Sequence, residues 1–246
     1  MAELYRRNWT TKGGARVSRV LGGRCNCFLV QGEKGFLLID SGGYSGWKTL
    51  RRRLLRMGVS SDAPLNLVLT HSHFDHARNA AALKREFGAR ILVHEKEAAG
   101  LCDGGNPPIQ GSNRFFRLLV RAGERCGILS RMGFSGVRPD LKIGDSLDLS
   151  PYGFPAVVIH TPGHTPGSIS VIVDHEIALV GDTIFGVFPG SAYPPFAADP
   201  EQLLQSWKKL LDSGCSLFLP AHGRLRSRAL LRRAYHQRNP RREPSP

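Results

Sequence analysis

The sequence lacks several features that define whole classes of protein. It contains no apolar run of about 18 residues or more, so we expect no hydrophobic membrane-spanning helix. Residues 1–9 lack the apolar core of a secretory signal peptide, so we expect a cytoplasmic protein. The chain also has no Gly-x-Ser-x-Gly motif, so nothing indicates a serine nucleophile of that type.

Cysteine is scarce. The five cysteines are an odd number, and no two of them form a Cys-x-x-Cys pair. Cys25 and Cys27 are two residues apart on a predicted strand, which is a poor geometry for a mutual disulfide. We therefore predict that these two, together with Cys102, Cys126 and Cys215, are buried free thiols, which fits a reducing compartment.

Acidic residues are few relative to basic ones. The chain has 34 Lys and Arg against 20 Asp and Glu, a net charge of +14, which would suit a nucleic-acid partner. The arginines cluster at 51–56 on a predicted helix and at 224–246, a predicted basic C-terminal helix and tail. No aromatic-rich stacking surface accompanies them, so we favour a solvated face and tail and keep nucleic acid as the alternative.

One short stretch concentrates side chains that bind metals. The apolar run at 65–70 predicts a buried strand, and His71-Ser-His73-Phe-Asp75-His76 follows it directly. In an extended chain His71 and His73 point to the same side, while Asp75 and His76 fall on the next turn. Neutral imidazole and carboxylate suit zinc and similar divalent ions. The stretch therefore predicts a site for two metal ions side by side.

Three later segments carry further ligand types in a repeated arrangement. In each, an apolar predicted strand leads into a turn of small residues that presents one polar side chain. These side chains are His164, Asp182 and His222. Polar residues at strand ends are typical of sites in α/β proteins.

In this order of motifs the sequence resembles the metallo-β-lactamase-fold superfamily of metallohydrolases, from about Arg16 to about Gly223. The pattern of elements agrees: we predict strands at 16–21, 25–31, 35–40, 66–70, 90–94, 143–149, 155–160, 168–174, 177–181 and 216–219, and helices at 46–57, 76–87 and 199–212. These elements give an α/β fold, a four-layer αββα sandwich with two mixed sheets inside and helices outside. We expect one domain over 1–246.

The resemblance implies a ligand set for two divalent ions, with zinc favoured and iron or manganese as alternatives. The first ion would be held by His71, His73 and His164, the second by Asp75, His76 and His222, and Asp182 would bridge them. Asp40, at the end of the predicted strand 35–40, would support a metal-bound histidine; otherwise it would belong to a helix N-cap region. The remaining histidines considered, His94, His160 and His175, are expected not to be ligands.

Two other segments are expected to shape the substrate site. The insertion 101–141, helical at 114–120, is either a lid contributed by Phe115, Phe116 or Phe134 or a surface packing unit. The stretch 185–196 follows Asp182 and is rich in Pro and aromatic residues. Within it, Tyr193 is a candidate donor to a developing oxyanion, although a packing role is somewhat favoured.

The resemblance implies hydrolysis of a small ester, thioester or lactone by a metal-bound hydroxide that Asp75 orients. Asp182 argues against true β-lactamases and favours the glyoxalase-II-like branch, here without its glutathione-binding C-terminal domain. The alternatives are a mononuclear iron persulfide dioxygenase-like oxidoreductase, a phosphodiesterase or nuclease, a promiscuous β-lactamase, and a metal-binding scaffold without turnover. The expected partner is a small-molecule substrate, and the oligomeric state stays open.

Overall fold

The computed structural model describes residues 7–127 and 132–239. Within those ranges the first sheet contains seven strands in the order β1 to β7. They are β1 (Asn8–Thr10), β2 (Arg16–Leu21), β3 (Cys27–Gln31), β4 (Phe36–Ile39), β5 (Leu65–Val68), β6 (Arg90–His94) and β7 (Leu141–Ile143). Strands β1 to β4 pair antiparallel, and β4 to β7 pair parallel. All four residues of β4 are buried, as expected of a parallel strand covered on both faces.

The second sheet is also mixed. In the described chain it contains six strands, β8 (Ser146–Asp148), β9 (Ala156–His160), β10 (Ile169–Val173), β11 (Ile177–Gly181), β12 (Leu217–Pro220) and β13 (Arg226–Ser227). Their order in the sheet is β13-β12-β11-β10-β9-β8. Only the β11 and β12 pair is parallel, so the carboxyl ends of these two strands lie at one edge.

The described chain contains seven α-helices, and all but the fifth bury apolar side chains in the layers on the outer faces of the sheets. They are α1 (Trp47–Arg56), α2 (Phe74–Ala77), α3 (Ala80–Phe87), α4 (Ala98–Asp103), α5 (Arg114–Arg125), α6 (Pro200–Asp212) and α7 (Arg228–Arg238). The start of α6 was predictable because Asp199 is its N-cap, with Oδ1 accepting from the amide nitrogens of Glu201 and Gln202. None of the described helices has both the length and the apolar character needed to cross a bilayer.

The apolar side chains of the described residues form three layers, which confirms the αββα sandwich. The first lies between the outer face of the first sheet and helices α1 and α3, and includes Leu50 and Leu83. The second lies between the sheets and joins Val68 to Leu179. The third lies between the second sheet and helices α6 and α7. Each fully buried Leu, Ile, Val or Phe contributes about 1.5–3 kcal/mol, so these layers supply most of the stabilisation.

The predicted strand 143–149 is wrong as a single element. Residues 141–143 form β7 on the edge of the first sheet, whereas 146–148 form β8 on the edge of the second. The chain crosses between the sheets at Gly144–Asp145. Ile143 and Leu149 both face the layer between the sheets. The sequence pattern therefore looks like that of one strand, although its two halves pair in different sheets.

The predicted helix 76–87 begins earlier and is interrupted. It starts at Phe74 and breaks at Arg78–Asn79 before α3. The amide nitrogen of Asn79 donates to Ser41 Oγ, 3.1 Å away, and its side-chain nitrogen donates to the carbonyl oxygens of Ser41, Gly42 and Gly43. These bonds compete with continued helix, because they direct Asn79 toward the loop after β4.

The expectation of five buried thiols is also wrong in part. All five cysteines are free, but Cys102 and Cys126 are exposed while Cys25, Cys27 and Cys215 are buried. The exposed pair lies in the 101–141 insertion. Three stretches that the sequence analysis discussed lie wholly or partly outside the described residues. They are residues 128–131 of the insertion, the tail from residue 240, and residues 1–6 at the N-terminus.

Candidate metal centre

Five loops meet at one edge of the sandwich, between the two sheets. They follow β4, β5, β11 and β12 and join β9 to β10, and they carry Asp40, the 71–76 stretch, Asp182, His222 and His164. Because β4 pairs parallel to β5 and β11 pairs parallel to β12, all four carboxyl ends point to this edge. The structure therefore brings together every residue that the sequence assigned as a metal ligand.

His71, His73 and His164 form the first group. His71 Nε2 lies 2.9 Å from His73 Nδ1 and 3.2 Å from His164 Nε2, and the third edge of this triangle is 3.1 Å. All three side chains are buried. Zinc–nitrogen bonds of about 2.0–2.1 Å at a tetrahedral centre separate nitrogens by about 3.3 Å. The triangle therefore fits one tetrahedral ion with an open fourth position.

Asp75, His76 and His222 form the second group. Asp75 Oδ2 lies 3.3 Å from His222 Nε2, and Asp75 Oδ1 lies 4.0 Å from His76 Nε2. One ligand atom from each of the three residues lies within 4.8 Å of the others. Two nitrogens and a carboxylate oxygen are a donor set that suits zinc, manganese and iron.

Asp182 lies between the two groups. Its Oδ2 is 3.7 Å from His164 Nε2, while its Oδ1 is 3.5 Å from His76 Nε2 and 3.4 Å from His222 Nε2. The preceding residue, Gly181, has φ of +51°, and a Cβ there would lie 2.5 Å from Thr70 Oγ1. Glycine is therefore required just before Asp182, where the backbone lies close to Thr70.

Asp40 supports histidines from both groups. Its Oδ2 lies 2.8 Å from His76 Nδ1, and both carboxylate oxygens accept from the Thr70 hydroxyl. Thr70 Oγ1 in turn lies 3.1 Å from His71 Nδ1. With Nδ1 protonated, each imidazole presents an unprotonated Nε2 to the centre. Asp40 has φ of +61°, an uncommon conformation that indicates a local constraint at this position.

Three further residues position the ligands, and sequence reasoning missed them. The buried Glu97 accepts from Ser72 N, Ser72 Oγ and Gly167 N at 3.0, 2.5 and 3.1 Å, and so joins the loop of His71 and His73 to the loop of His164. Asn26 Nδ2 donates to the carbonyl oxygens of Pro220 and Gly223, on either side of His222. The carbonyl of Phe196 accepts from His164 Nδ1 at 2.9 Å. No local sequence pattern identifies these three residues, because the groups to which they hydrogen-bond are distant along the chain.

The electrostatics separate the histidines into two kinds. Burial lowers the pKa of His71 well below its usual value and, with the charges of neighbouring histidines, lowers the pKa of His73 to about 3. Burial also lowers the pKa of His222, but Asp182 and Asp75 outweigh it and raise that pKa to about 11. Burial would raise the pKa of Asp182, yet His222 and His76 hold it well below its usual range. His71 and His73 are thus neutral, while the second group balances carboxylates against protonated imidazole.

Two unsatisfied polar atoms test whether a cation fits here. His76 Nε2 and Asp182 Oδ1 are both buried without a hydrogen-bond partner among the described residues, and they lie 3.5 Å apart. Leaving a buried polar atom unpaired costs about 1–3 kcal/mol, more for a charged group. A divalent ion would satisfy both atoms. The donor set, the spacing and the unpaired atoms therefore fit bound metal.

Two of the remaining histidines, at the ends of β6 and β9, lie at the same edge as this centre, and the third lies at the opposite end of the second sheet. His94 and His160 stack at 4.0 Å between ring centroids, and His160 Nε2 lies 2.9 Å from the carbonyl oxygen of Pro166. His175 lies on the turn between β10 and β11. These contacts account for His94 and His160 without a metal, and a non-ligand role for all three stays the prediction.

Tyr193 contacts other residues than the ligands. Its ring packs edge-on against Trp207 at 5.9 Å, and the Arg238 guanidinium lies 3.7 Å over the ring centroid. Burial raises the pKa of the phenol, although Arg238 and Arg117 oppose the shift. These contacts favour packing, and the oxyanion role stays a prediction.

The 101–141 insertion reaches the rim of the centre. Gln110 O accepts from Ala197 N, and the rings of Phe116 and Phe196 pack at 5.8 Å. Phe134 instead packs against the first apolar layer, while Phe115 is 63% exposed. Of the three aromatic residues proposed for a lid, Phe116 is therefore the one placed beside the His164 loop.

One of the C-terminal arginines corrects the expectation of a solvated face. Arg226 is buried, and its guanidinium donates to the carbonyl oxygens of Ser191 and Phe188 at 2.7 and 2.8 Å. It belongs to β13, and α7 begins after it with Ser227 as N-cap. Arg226 therefore holds the loop that follows Asp182.

Comparison with known proteins agrees with this geometry. The family model of the metallo-beta-lactamase superfamily matches residues 20–222. Hydroxyacylglutathione hydrolase GloC of Haemophilus influenzae is 33% identical over 164 residues, covering 65% of this chain and 66% of that protein. The acyl-coenzyme A thioesterase MBLAC2 of Gallus gallus is 31% identical over 175 residues, covering 67% of this chain and 59% of that protein.

A solved structure shares the fold over nearly the whole chain. A metallo-beta-lactamase of Cronobacter sakazakii superposes with a TM-score of 0.65 and covers 97% of this chain and 94% of its own. At 21% identity it shows the fold alone. Because the family model spans most of the sequence and hydrolases are among its relatives, the chain belongs to the metallo-beta-lactamase superfamily and is a metal-dependent hydrolase.

Proposed function

We propose that this protein holds two divalent ions, with zinc favoured, and hydrolyses a small ester, thioester or lactone. The observation that carries the proposal is the position of Asp182. Its two carboxylate oxygens face different histidine groups, Oδ2 toward His164 and Oδ1 toward His76 and His222. A carboxylate with this placement can bridge two ions, which a mononuclear site would not need.

The residues divide between the two ions as their distances suggest. His71 Nε2, His73 Nδ1 and His164 Nε2 would hold one, and Asp75, His76 and His222 would hold the other. Ions bound there would lower the pKa of a water molecule and polarise a carbonyl oxygen. Asp40 and Thr70 would keep Nδ1 of His76 and His71 protonated, so that Nε2 is the donor atom.

Asp75 also has a position to orient the attacking water. Its carboxylate borders both His222 and an open cavity. Burial raises its pKa, but His76 and His222 outweigh burial and lower the pKa below its usual value. Asp75 is therefore ionised at neutral pH and can accept a hydrogen bond from water, which directs an oxygen lone pair toward the substrate carbonyl.

Among the candidate substrates, thioesters have the best support. The names of both relatives describe hydrolysis of a thioester, in one case of a glutathione derivative and in the other of a coenzyme A derivative. The bond that is broken is the same, while the thiol differs. We therefore place thioesters ahead of oxygen esters and lactones for this chain.

The proposal is tested by metal-dependent hydrolysis. The protein is depleted with a chelator, reloaded with zinc, manganese or iron, and assayed on a thioester, a lactone and a β-lactam. We expect thioester hydrolysis to return with metal and to fall by about 100-fold or more in Asp182→Asn, as when a group that stabilises developing charge is lost. Asp62→Asn, at an exposed position, is the matched control. Oxygen consumption with a persulfide, restored by iron alone, would contradict the proposal.

A further inference from the structure

A large cavity opens directly beside the candidate metal centre. Its volume is about 850 Å³, and Asp75 forms part of its wall. Five arginines line it, namely Arg7, Arg19, Arg24, Arg53 and Arg78. Among the described residues of the wall, Asp75 is the one carboxylate, and it faces His222. The cavity wall is therefore strongly positive.

The charge of these arginines is not neutralised within the described chain. Ion pairs such as Arg51–Glu86 and Lys84–Asp140 lie outside the cavity, and none of the five cavity arginines pairs with a described carboxylate. Burial lowers the pKa of Arg19, and the nearby charges of Arg7 and Arg53 lower it further. Like charges held this close are unfavourable without a partner anion. The arrangement fits a ligand with several negative charges.

An aromatic ring stands at the same cavity. Tyr44 is 80% exposed, and the guanidinium of Arg78 lies 5.2 Å from its ring centroid. An exposed ring held by a cation can stack on a planar heterocycle. The β2–β3 turn contributes Gly22, Gly23 and Arg24 to the wall, and the two glycines add no side-chain volume there.

We propose that this cavity binds the leaving thiol of the substrate, and that this thiol carries several phosphates and a planar base, as a nucleotide-type coenzyme does. The inference rests on the proposed thioester hydrolysis. In that reaction water adds to the carbonyl carbon and the C–S bond breaks. The products are a carboxylate, the thiol and one proton released to solvent. The thiol sulfur would then lie near Asp75, with its phosphates among the arginines.

The size and charge of the cavity distinguish this substrate from two others. Glutathione has two carboxylates and one ammonium, so it would leave most of the five guanidiniums unmatched. RNA would need an extended track with repeated stacking side chains, whereas the wall offers Tyr44 and Phe74 in a volume typical of small-molecule sites, about 300–1,000 Å³. A small thiol that carries several phosphates matches both the charge and the volume of the cavity.

A binding experiment tests the cavity without any turnover. Desulfo-coenzyme A, which has no thiol to bind metal, is titrated into metal-free protein by calorimetry. We expect binding that weakens about tenfold in Arg24→Gln, as for loss of one charge-assisted hydrogen bond. Arg52→Gln, an exposed arginine of α1 that does not line the cavity, removes the same charge and should leave the affinity unchanged. Binding should also weaken as salt is raised.

A hydrolysis experiment separates this inference from the proposed function. Acetyl-coenzyme A is compared with the acetyl thioester of N-acetylcysteamine, which has the same reacting bond and no phosphate. We expect Arg24→Gln to raise KM for the first substrate and leave kcat/KM for the second unchanged. Absence of desulfo-coenzyme A binding, or equal weakening in Arg52→Gln, would overturn the inference, even if the phosphate-free thioester is hydrolysed and the proposed function stands. Tighter binding and cleavage of an RNA oligonucleotide would overturn it as well. Binding that depends on Arg24 without hydrolysis of either thioester would support the cavity and contradict the function.

Discussion

Oδ2 of Asp40 lies 2.8 Å from Nδ1 of His76, and both side chains are buried. Through this contact Nδ1 can donate to the carboxylate, which leaves Nε2 as the nitrogen that faces Asp182 and His222. Asp40 adopts φ of +61° to make it. A buried carboxylate, an oriented imidazole and an uncommon backbone conformation at one position together indicate a role in the centre more than in helix capping.

Asp40→Asn should therefore weaken metal binding at the group that contains His76. The amide cannot accept from Nδ1 as strongly as a carboxylate, and the expected loss is about 10–100-fold in metal affinity. Competition with a chromogenic chelator measures it. If the variant loses stability while its metal affinity is unchanged, Asp40 has a structural role only.

Metal binding should release protons at neutral pH. In the metal-free protein the pKa of His222 is about 11 and that of His76 is raised well above its usual value, because nearby carboxylates outweigh burial in both cases. Both imidazoles must lose a proton to bind metal, whereas His73, with a pKa of about 3, is already neutral. Calorimetry in two buffers of different ionisation enthalpy measures the release. Uptake with no proton release would contradict this assignment of charge.

The stability of the metal-free protein should depend on pH through His222 and Asp182. Because the pKa of His222 rises from 6.5 to about 11 on folding, its contribution is complete below 6.5 and is lost as pH rises toward 11. Because the pKa of Asp182 is lowered from 3.8, its contribution is present above 3.8 and is lost as pH falls further. Thermal unfolding in chelator should show both limbs, and His222→Ala should flatten the alkaline one. An alkaline limb of equal slope in the variant would show that other groups cause it.

Glu97→Gln should affect stability and metal binding together. Glu97 accepts three hydrogen bonds from Ser72 and Gly167, and one amide group cannot accept all of them. Leaving a buried donor unpaired costs about 1–3 kcal/mol of unfolding free energy. The same change should loosen the His71, His73 and His164 triangle and lower its metal affinity. Denaturant unfolding and chelator competition report the two effects, with Glu95→Gln, at an exposed position in the same turn, as control.

Tyr193→Phe should retain nearly all hydrolytic activity. The ring packs between Trp207 and Arg238, and these contacts do not need the hydroxyl. We expect kcat within about twofold of the wild type, compared with the 100-fold or larger loss typical of removing an oxyanion donor. Steady-state kinetics on a thioester decides between the packing role and the oxyanion role.

The clustering of the predicted ligands at one edge could be expected from the sequence, because strand periodicity and local spacing place polar side chains at strand ends. The resemblance to the superfamily assigned these side chains to two ions, and that assignment stays a prediction. His71 and His73 share a side of an extended segment, and Asp182 and His222 each follow an apolar strand. Glu97 and Asn26 could not be predicted, since their partners lie 25 to 197 residues away along the chain. The division of 143–149 between two sheets was hidden for a related reason: both halves face the same apolar layer, so the alternation continues across the break.

The cavity arginines illustrate a similar limit. The sequence shows a surplus of basic residues, but Arg24 and Arg78 are far apart in sequence and come together only through the fold. Arg226 belongs to the same surplus of basic residues, but it is buried and its guanidinium donates to backbone carbonyl oxygens. Charge counts therefore gave no means of separating the arginines that line the cavity from the buried Arg226.

The metal content of the purified protein tests the central claim most directly. Elemental analysis is made on the wild type, Asp182→Ala and the control Asp62→Asn after loading with zinc and removal of excess. The bridging role proposed for Asp182 predicts about two zinc ions per chain in the wild type and control, and about one or fewer in Asp182→Ala. One tightly held iron per chain, retained in Asp182→Ala and in variants of Asp75 and His76, would contradict a dinuclear hydrolase.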